Sequence, residues 1–372
     1  MIHDCGATAG ASRIASVGIE LPLRRLSTAD LLASCRHPVT ADLERLTGIR
    51  ERRLCAAGED SFTMAAAAAA DCLNRAGCAA AEVEMLVSCS ISKGCADLAY
   101  VYEPPMSVAI QRAIGAERAI CFDVANACAG MVTGLAIVDD FIRRGAIRRG
   151  LVVSGEFISH IGRTATRHVT GTTSPQMPSL TLGDAGAAVL VERADDGAGG
   201  ILACELKSFA DYCELCIAEP TAAGDEPGWA MSTDALRLHR IAIDASVPTI
   251  AEAFARAGVG FDQIDWVIPH QTTAHAIRLG TERLVRSLGA RGFRAEIVYN
   301  LDGCGNTAST THFLALHRCL LEGRLQPGHR VLLLCFASGV VVGAVVFEVD
   351  DALVGRYWQG AEKGSMSAPC QR

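Results

Sequence analysis

The sequence predicts an α/β protein built from two duplicated halves packed face to face, and three observations carry that expectation. Residues 75–90, RAGCAAAEVEMLVSCS, align without a gap with residues 256–271, RAGVGFDQIDWVIPHQ, at an offset of 181. The segment VANACAGM (124–131) sits opposite NLDGCGNT (300–307), each after an apolar run and before a helical one. Each copy then closes on an apolar stretch with strand character, GAAVLVE (186–192) and GAVVFE (343–348). A single strand–helix unit cannot cover its own apolar face, so two copies stack on a shared core.

The elements follow in order. A helix ending at Ala76 is capped by Gly77, and Met85–Val87 begins a strand; Gly258 and Trp266–Ile268 repeat the pattern. Glycine after the last helical turn takes left-handed backbone at little cost, which is why it marks the stop. A strand over Ala119–Val124 hands over to a helix of about Ala129–Gly145. The stretches 155–182 and 205–240 carry Pro175, Pro178, Pro220 and Pro227 and read as loops that shape a substrate entrance. The expected divisions are 1–195 and 196–350, with a tail over 351–372, ending GSMSAPCQR, that lacks fixed structure.

Composition excludes several classes. A chain of 372 residues is long for one core, and 50% hydrophobic with 20% charged residues describes a globular protein with much buried surface. The net charge of −7 is mild, and the basic residues form no stripe suited to nucleic acid. Sixteen cysteines are scattered without a repeated spacing; Cys213 and Cys216 form the one close pair, with no matching second pair. Neither a disulfide framework nor a zinc motif fits, and mostly inert thiols in a reducing cytoplasm do. The N-terminus lacks the pattern of a secretory signal, and the alanine-rich segment 64–71 is too short to span a membrane.

Three positions stand out chemically. Cys128 falls at a strand-to-helix junction, where unpaired N–H groups and the helix dipole lower a thiol's pKa. Its neighbours Ala127, Ala129 and Gly130 leave room for a substrate. A packing thiol and a nucleophile both suit that position. His270, in VIPHQTTAH (267–275), stands at a strand exit behind a proline that holds the chain extended. It reads equally as a structural histidine. Asn306, in YNLDGCGNTASTTHF (299–313), lies at the junction that the repeat makes equivalent to that of Cys128. It reads either as a helix cap or as an amide donor aimed at the same cavity. A pseudo-twofold between the halves would bring the two junctions together.

At these residues the chain resembles the thiolase-fold condensing enzymes, most closely the ketoacyl-acyl-carrier-protein synthase III group. The resemblance rests on DVANACAG, PHQ, GNTAS, LTGIRERR (46–53), LGDAGAAVL (182–190) and FASGVVVGAVVFE (336–348), and runs from about residue 12 to 349. It implies a layered α-β-α-β-α architecture and a Cys-His-Asn triad of Cys128, His270 and Asn306. It also implies an oxyanion hole from the backbone N–H groups of Cys128 and Ser338. The implied reaction is a Claisen condensation through acyl-Cys128 in specialised metabolite or polyketide biosynthesis. Coenzyme A or acyl-carrier-protein thioesters would be the substrates, with no other cofactor and no metal. The implied partners are a second copy of the chain and a carrier protein or acyl-coenzyme A.

The chain also departs from that group. Asp42 and Leu46 stand where the fatty-acid enzymes grip the coenzyme A nucleotide with a tryptophan and an arginine. His275 replaces a basic carrier-docking residue, with Arg278 and Arg283 as substitutes. Glu103, in VYEPPMSVAIQ (101–111), resembles the glutamate base that olefin-pathway enzymes insert from the partner subunit; a plain surface glutamate is the other reading. Cys335, in LLLCFASG, parallels the second cysteine of thiolases but reads as a buried strand residue. Two other functions remain open here: acyl transfer to an alcohol or amine, and a non-catalytic partner that sets chain length.

Overall fold

The apolar runs 181 residues apart become matched central strands. In the computed structural model, residues 11–94, 100–101, 103–194, 199–222, 225–289 and 293–358 are described. The first sheet comprises β1 (Ala11–Glu20), β2 (Met85–Ser88), β3 (Ile120–Asp123), β4 (Arg149–Glu156) and β5 (Ala185–Ala194), in the order β1-β5-β4-β2-β3. The second comprises β6 (Gly200–Ser208), β7 (Trp266–Pro269), β8 (Glu296–Ile297), β9 (Arg330–Ala337) and β10 (Val341–Glu348), in the order β6-β10-β9-β7-β8. Each order is the other with every strand replaced by its counterpart. Register agrees as well: Met85 pairs with Gly150 in one sheet as Trp266 pairs with Val331 in the other.

Eight helices of eight or more residues complete the layers among the described residues: α1 (Ser61–Ala76), α2 (Met106–Ile114), α3 (Gly130–Arg143), α4 (Ser159–His168), α5 (Ala235–Ala257), α6 (Ala274–Ser287), α7 (Thr311–Leu321) and α8 (Asp351–Trp358). The helices α3 and α7 lie between the sheets. Their Met131, Leu135, Phe313 and Leu316 share one buried cluster with Val87 and Val189 of the first sheet and Leu333 and Val345 of the second. A second cluster covers the outer face of the first sheet with α1 and α2, and a third covers that of the second with α5 and α6. The result is the five-layer α-β-α-β-α arrangement.

Local chemistry explains the boundaries. Asp60 and Thr63 form a reciprocal capping box at the start of α1, and Gly77 closes it at φ 61°. Asp234 caps α5, and Gly258 closes it at φ 65°. The alanine run in α1 lets the helix sit almost on the sheet. A Cβ at Gly155 would fall 1.9 Å from the Ser61 carbonyl oxygen, and one at Gly186 would fall 2.3 Å from that of Met64. None of the described helices is long and apolar enough to cross a membrane.

Two expectations change. Residues 351–358 are not a structureless tail: α8 buries Leu353, Val354 and Tyr357 against the central cluster. The Tyr357 hydroxyl donates to the Val17 carbonyl and accepts from the Val17 N–H, which fixes α8 on β1. The apolar pattern of that one helix is masked in the sequence by the polar, small residues after it; 359–372 lie outside the described residues. The stretches 155–182 and 205–240 are also more regular than loops. They hold α4, an antiparallel pair of Cys216–Pro220 with Trp229–Thr233, and the first turns of α5.

Candidate active site

The strand β3 ends at Asp123, and a tight turn, Ala127–Ala129, lifts Cys128 to the head of the buried central helix α3. Ala127 takes φ 45°, in the left-handed region. The same turn occurs in the other half at Ala308–Thr310, where Ala308 takes φ 51° and α7 follows. The two turns therefore correspond at the offset of 181, and the residue equivalent to Cys128 is Ser309. The sequence alignment had set Cys128 opposite Cys304, at the offset of 176 that β3 and β8 do keep, Ile120 and Glu296 both pairing with the first residue of the central strand. A five-residue insertion between β8 and its turn separates the two offsets. Asn306 sits within that insertion, so the first half has no counterpart of it.

The insertion is braced by the TGIRERR and LGDAGA motifs. Asn306 N–H donates to the Thr181 carbonyl at 2.9 Å, and Gly183 N–H donates to the Asn306 carbonyl at 3.0 Å. Gly305 at φ 69° makes the approach possible, since a Cβ there would lie 2.6 Å from the Thr181 oxygen. Beneath them Arg52 is buried and donates to the Leu180 carbonyl at 3.0 Å. Burial lowers its guanidinium to about 10. Asp184 accepts from the N–H groups of Ile158, Ser159 and Cys55, locking α4 and the strand after TGIR to the same loop. The side chain of Asn306 accepts from Ala308 N–H at 3.1 Å, and Cys128 packs against Ala308, Ile158 and Leu182. Both readings of Asn306 thus keep a place: its oxygen holds the turn, and its amide group remains a donor.

The other partners meet on β9. The Leu334 carbonyl accepts from His270 N–H at 2.9 Å, and the next residue, Cys335, lies with its thiol 3.5 Å from the Cys128 carbonyl oxygen. His270 is buried, and its Nδ1 has no hydrogen-bond partner among the described residues. Burial, with the neighbouring His312 ring 5.5 Å away, lowers His270 to about 3. The imidazole is therefore neutral throughout the physiological range and acts as a hydrogen-bonding group rather than a cation. Ser338 lies in the β9–β10 turn, where its side chain interacts with the Cys216 thiol.

One electrostatic expectation reverses. The Cys128 thiol is pushed well above the ordinary cysteine value, first by burial, then by the negative forms of Cys216 and Glu156; a backbone N–H opposes them weakly. The dipole of one helix end does not offset the loss of water in an apolar pocket. Alkylation of Cys128 in the ligand-free protein is expected to have a pH midpoint above the ~8.5 of a free thiol. Iodoacetamide labelling with peptide mass analysis across pH checks this; a midpoint near 7 would restore the activated thiolate.

Glu103 is exposed on its own chain, just before α2. Within one chain it is a surface carboxylate, and Tyr102 beside it lies outside the described residues. The acid at the end of β3, Asp123, holds this region instead: it accepts from Met106 and Ser107 N–H groups and pairs with Lys93 at 2.6 Å. Around the TGIR motif, Asp42, Glu44, Arg45, Gly48, Arg50 and Asp302 line an open surface cavity of about 700 Å³. On α6, Arg278 pairs with Glu282 and Arg283 with Asp244, all exposed, and His275 stands beside Arg278.

Sequence reasoning missed Glu156. Fully buried, it accepts from Ile91 N–H at 3.0 Å, from Ser154 Oγ at 3.0 Å and from the Ser309 hydroxyl. Burial raises its pKa, and these donors oppose the rise. It ties the end of β4 in one half to the counterpart of Cys128 in the other. A glutamate after the apolar run LVVSG was the available signal. His312, inside the apolar α7 pattern, was missed for the same reason: charge-capable residues in buried stretches have partners that only tertiary structure reveals.

Comparisons with known proteins establish the family and the fold. Residues 122–210 match the family model for 3-oxoacyl-[acyl-carrier-protein] synthase III, and residues 254–349 match the model for its C-terminal part. The β-ketoacyl-[acyl-carrier-protein] synthase III of Sodalis glossinidius is 31% identical over 339 residues, covering 90% of this chain and 98% of its own. The priming β-ketosynthase of the R1128 polyketide pathway superposes with a TM-score of 0.77 at 25% identity, covering 92% of this chain and 98% of its own. OleA of Xanthomonas campestris shares the fold, with a TM-score of 0.77 at 21% identity over 93% of this chain and all of its own.

Proposed function

Because the chain belongs to the β-ketoacyl-[acyl-carrier-protein] synthase III family, and is thus an acyl-thioester condensing enzyme, we propose that Cys128 is its nucleophile and that His270 and Asn306 serve the second substrate. One observation carries the assignment. Three separate segments converge on Cys128: β9, which also anchors His270, the turn held by Asn306, and the loop 180–183 that braces it.

The chemistry follows from the residues. Cys128 Sγ attacks the carbonyl carbon of an acyl thioester, and the thiol of the carrier leaves with the proton that Cys128 gives up. The N–H groups of Cys128 and Ser338 stabilise the tetrahedral oxyanion, each such donor contributing about 3–4 kcal/mol. The neutral His270 and the Asn306 amide then donate to the carbonyl oxygen of the second thioester. The enolate formed there, by loss of carbon dioxide or of a proton, attacks the acyl-Cys128 and expels its sulfur.

The surroundings narrow the substrates. The cavity at TGIR presents three carboxylates against two guanidinium groups, which disfavours the phosphates of a coenzyme A nucleotide. Carrier-protein delivery suits it better, with His275, Arg278 and Arg283 as the docking face; their exposed ion pairs are weak and exchange readily. A cytoplasmic homodimer joined around the 101–111 loop, where Val101 and Val108 are exposed, would carry Glu103 into the partner's cavity. A carboxylate there removes the proton alpha to a non-carboxylated thioester, a step that malonyl thioesters bypass. Glu103→Gln is expected to cripple condensation of non-carboxylated thioesters while sparing malonyl substrates, as read by product chromatography. Equal activity of the variant on both classes would remove Glu103 from the mechanism and leave a malonyl-dependent enzyme.

A further inference from the structure

We propose that His270, His312 and Cys335 form a binding site for a soft divalent cation, zinc in particular, whose occupancy silences condensation. The three residues come from the end of β7, the first turn of α7 and the end of β9, so no spacing along the chain announces them. All three are buried, and one ligand atom from each lies within 4.8 Å of the other two. Two imidazoles and a thiolate are a donor set that suits zinc over calcium or magnesium.

Three further observations point to a cation. The Nδ1 atoms of His270 and His312 are both buried without a hydrogen-bond partner among the described residues, and the two rings lie 5.5 Å apart. His312 Nε2 stands 3.1 Å from the Leu334 carbonyl oxygen, which accepts only, so its proton is on Nε2 and Nδ1 carries the lone pair. Histidines that ligate metals are held in this way, donating their other N–H to a carbonyl or carboxylate. The Leu334 carbonyl also takes the His270 N–H at 2.9 Å, so one strand residue holds both histidines next to Cys335.

The dimensions are compatible. Zinc bonds of about 2.0–2.1 Å to nitrogen and about 2.3 Å to sulfur put tetrahedral ligands roughly 3.3–3.6 Å apart. Ring rotation and a small strand shift close the remaining gap. On binding, the cation displaces the Cys335 proton to solvent and the Cys335 sulfur becomes a thiolate ligand. Three protein ligands leave a position for water. The silencing rests on the function proposed above: zinc held between His270 and Cys335, whose thiol lies 3.5 Å from the Cys128 carbonyl oxygen, occupies the space beside Cys128 that the second thioester must enter.

Cobalt(II) titration of the reduced, chelator-treated full-length protein tests the site without relying on activity. We expect one cobalt per chain with a sulfur-to-cobalt absorption band that zinc abolishes. The band should survive Cys128→Ala and Cys213→Ser, disappear in Cys335→Ala, and need at least tenfold more cobalt in His312→Asn. No stoichiometric binding by the unmodified protein, or a band that persists in Cys335→Ala, overturns the site; the first result stands even if a variant fails to fold. Zinc should inhibit condensation by the unmodified protein, reversibly with chelator, and not by Cys335→Ala. Inhibition unchanged in that variant overturns the silencing. A protein that binds cobalt as expected yet condenses nothing leaves the site in place and refutes the functional reading instead.

Discussion

Cys128→Ala is expected to abolish covalent acylation and to lower condensation by about 10⁴-fold or more, the scale on which removal of a nucleophile acts. Intact mass after incubation with a panel of acyl thioesters reads the first effect: the unmodified protein gains one acyl group and the variant gains none. The fold should persist, because Cys128 is half-buried, its chain neighbours Ala127 and Ala129 are already alanine, and alanine fits its turn. The pocket supplies strict controls in Cys216, Cys304 and Cys335, three further thiols around the same junctions. Acyl mass on any of them in the variant would overturn the assignment of the nucleophile, and no adduct on the unmodified protein would favour a non-catalytic partner subunit.

His270→Ala and Asn306→Ala are each expected to slow condensation by about 10²–10³-fold while leaving acylation of Cys128 nearly intact, since each removes a donor to the second substrate's oxyanion. Pre-steady-state acylation and steady-state condensation, measured on the same variants, separate the half-reactions. Asn306 needs a second substitution because its side-chain oxygen also holds Ala308 N–H. Asn306→Asp keeps that acceptor and removes the amide donor, so it should lose condensation as Asn306→Ala does. Full activity in Asn306→Asp would reduce Asn306 to a cap, and equal loss of both half-reactions would abolish the division of roles. The neutral state of His270 adds a sign: protonation near 3 lies below the working range, so no acidic limb between pH 5 and 8 should come from this residue.

Much of the architecture was legible because it repeats. The glycine caps at Gly77 and Gly258, the strands from Met85 and Trp266, and the closing strands are local features with fixed periodicity, and they occur twice. Cys128 and His270 stood out by their places at strand exits, and their grouping with Asn306 came from the resemblance of the surrounding motifs. The insertion that carries Asn306 was not, because a five-residue change in loop length leaves no mark on either flanking pattern. The direction of the Cys128 shift was hidden too: helix position can be read along the chain, whereas the Cys216 and Glu156 charges reach Cys128 only through folding. For α8, a short hydrophobic stretch does not distinguish a docked helix from a tail until β1 presents Val17 to Tyr357.

The Glu156 linkage also bears on motion. Its carboxylate accepts from Ile91, Ser92, Ser154 and Ser309, groups that belong to both halves, in a fully buried position. Sliding one half past the other would strand a buried acid, a penalty of several kcal/mol when more than one such bond breaks together. The duplicated cores therefore behave as a single rigid block rather than as jaws. An acyl substrate would then enter by displacement of the peripheral segments around α4 and the Cys216–Thr233 hairpin, which bring Ile161 and Met231 against the cluster beside Cys128. Breathing is then confined to the rim, while the central turns Ala127–Ala129 and Ala308–Thr310 stay fixed.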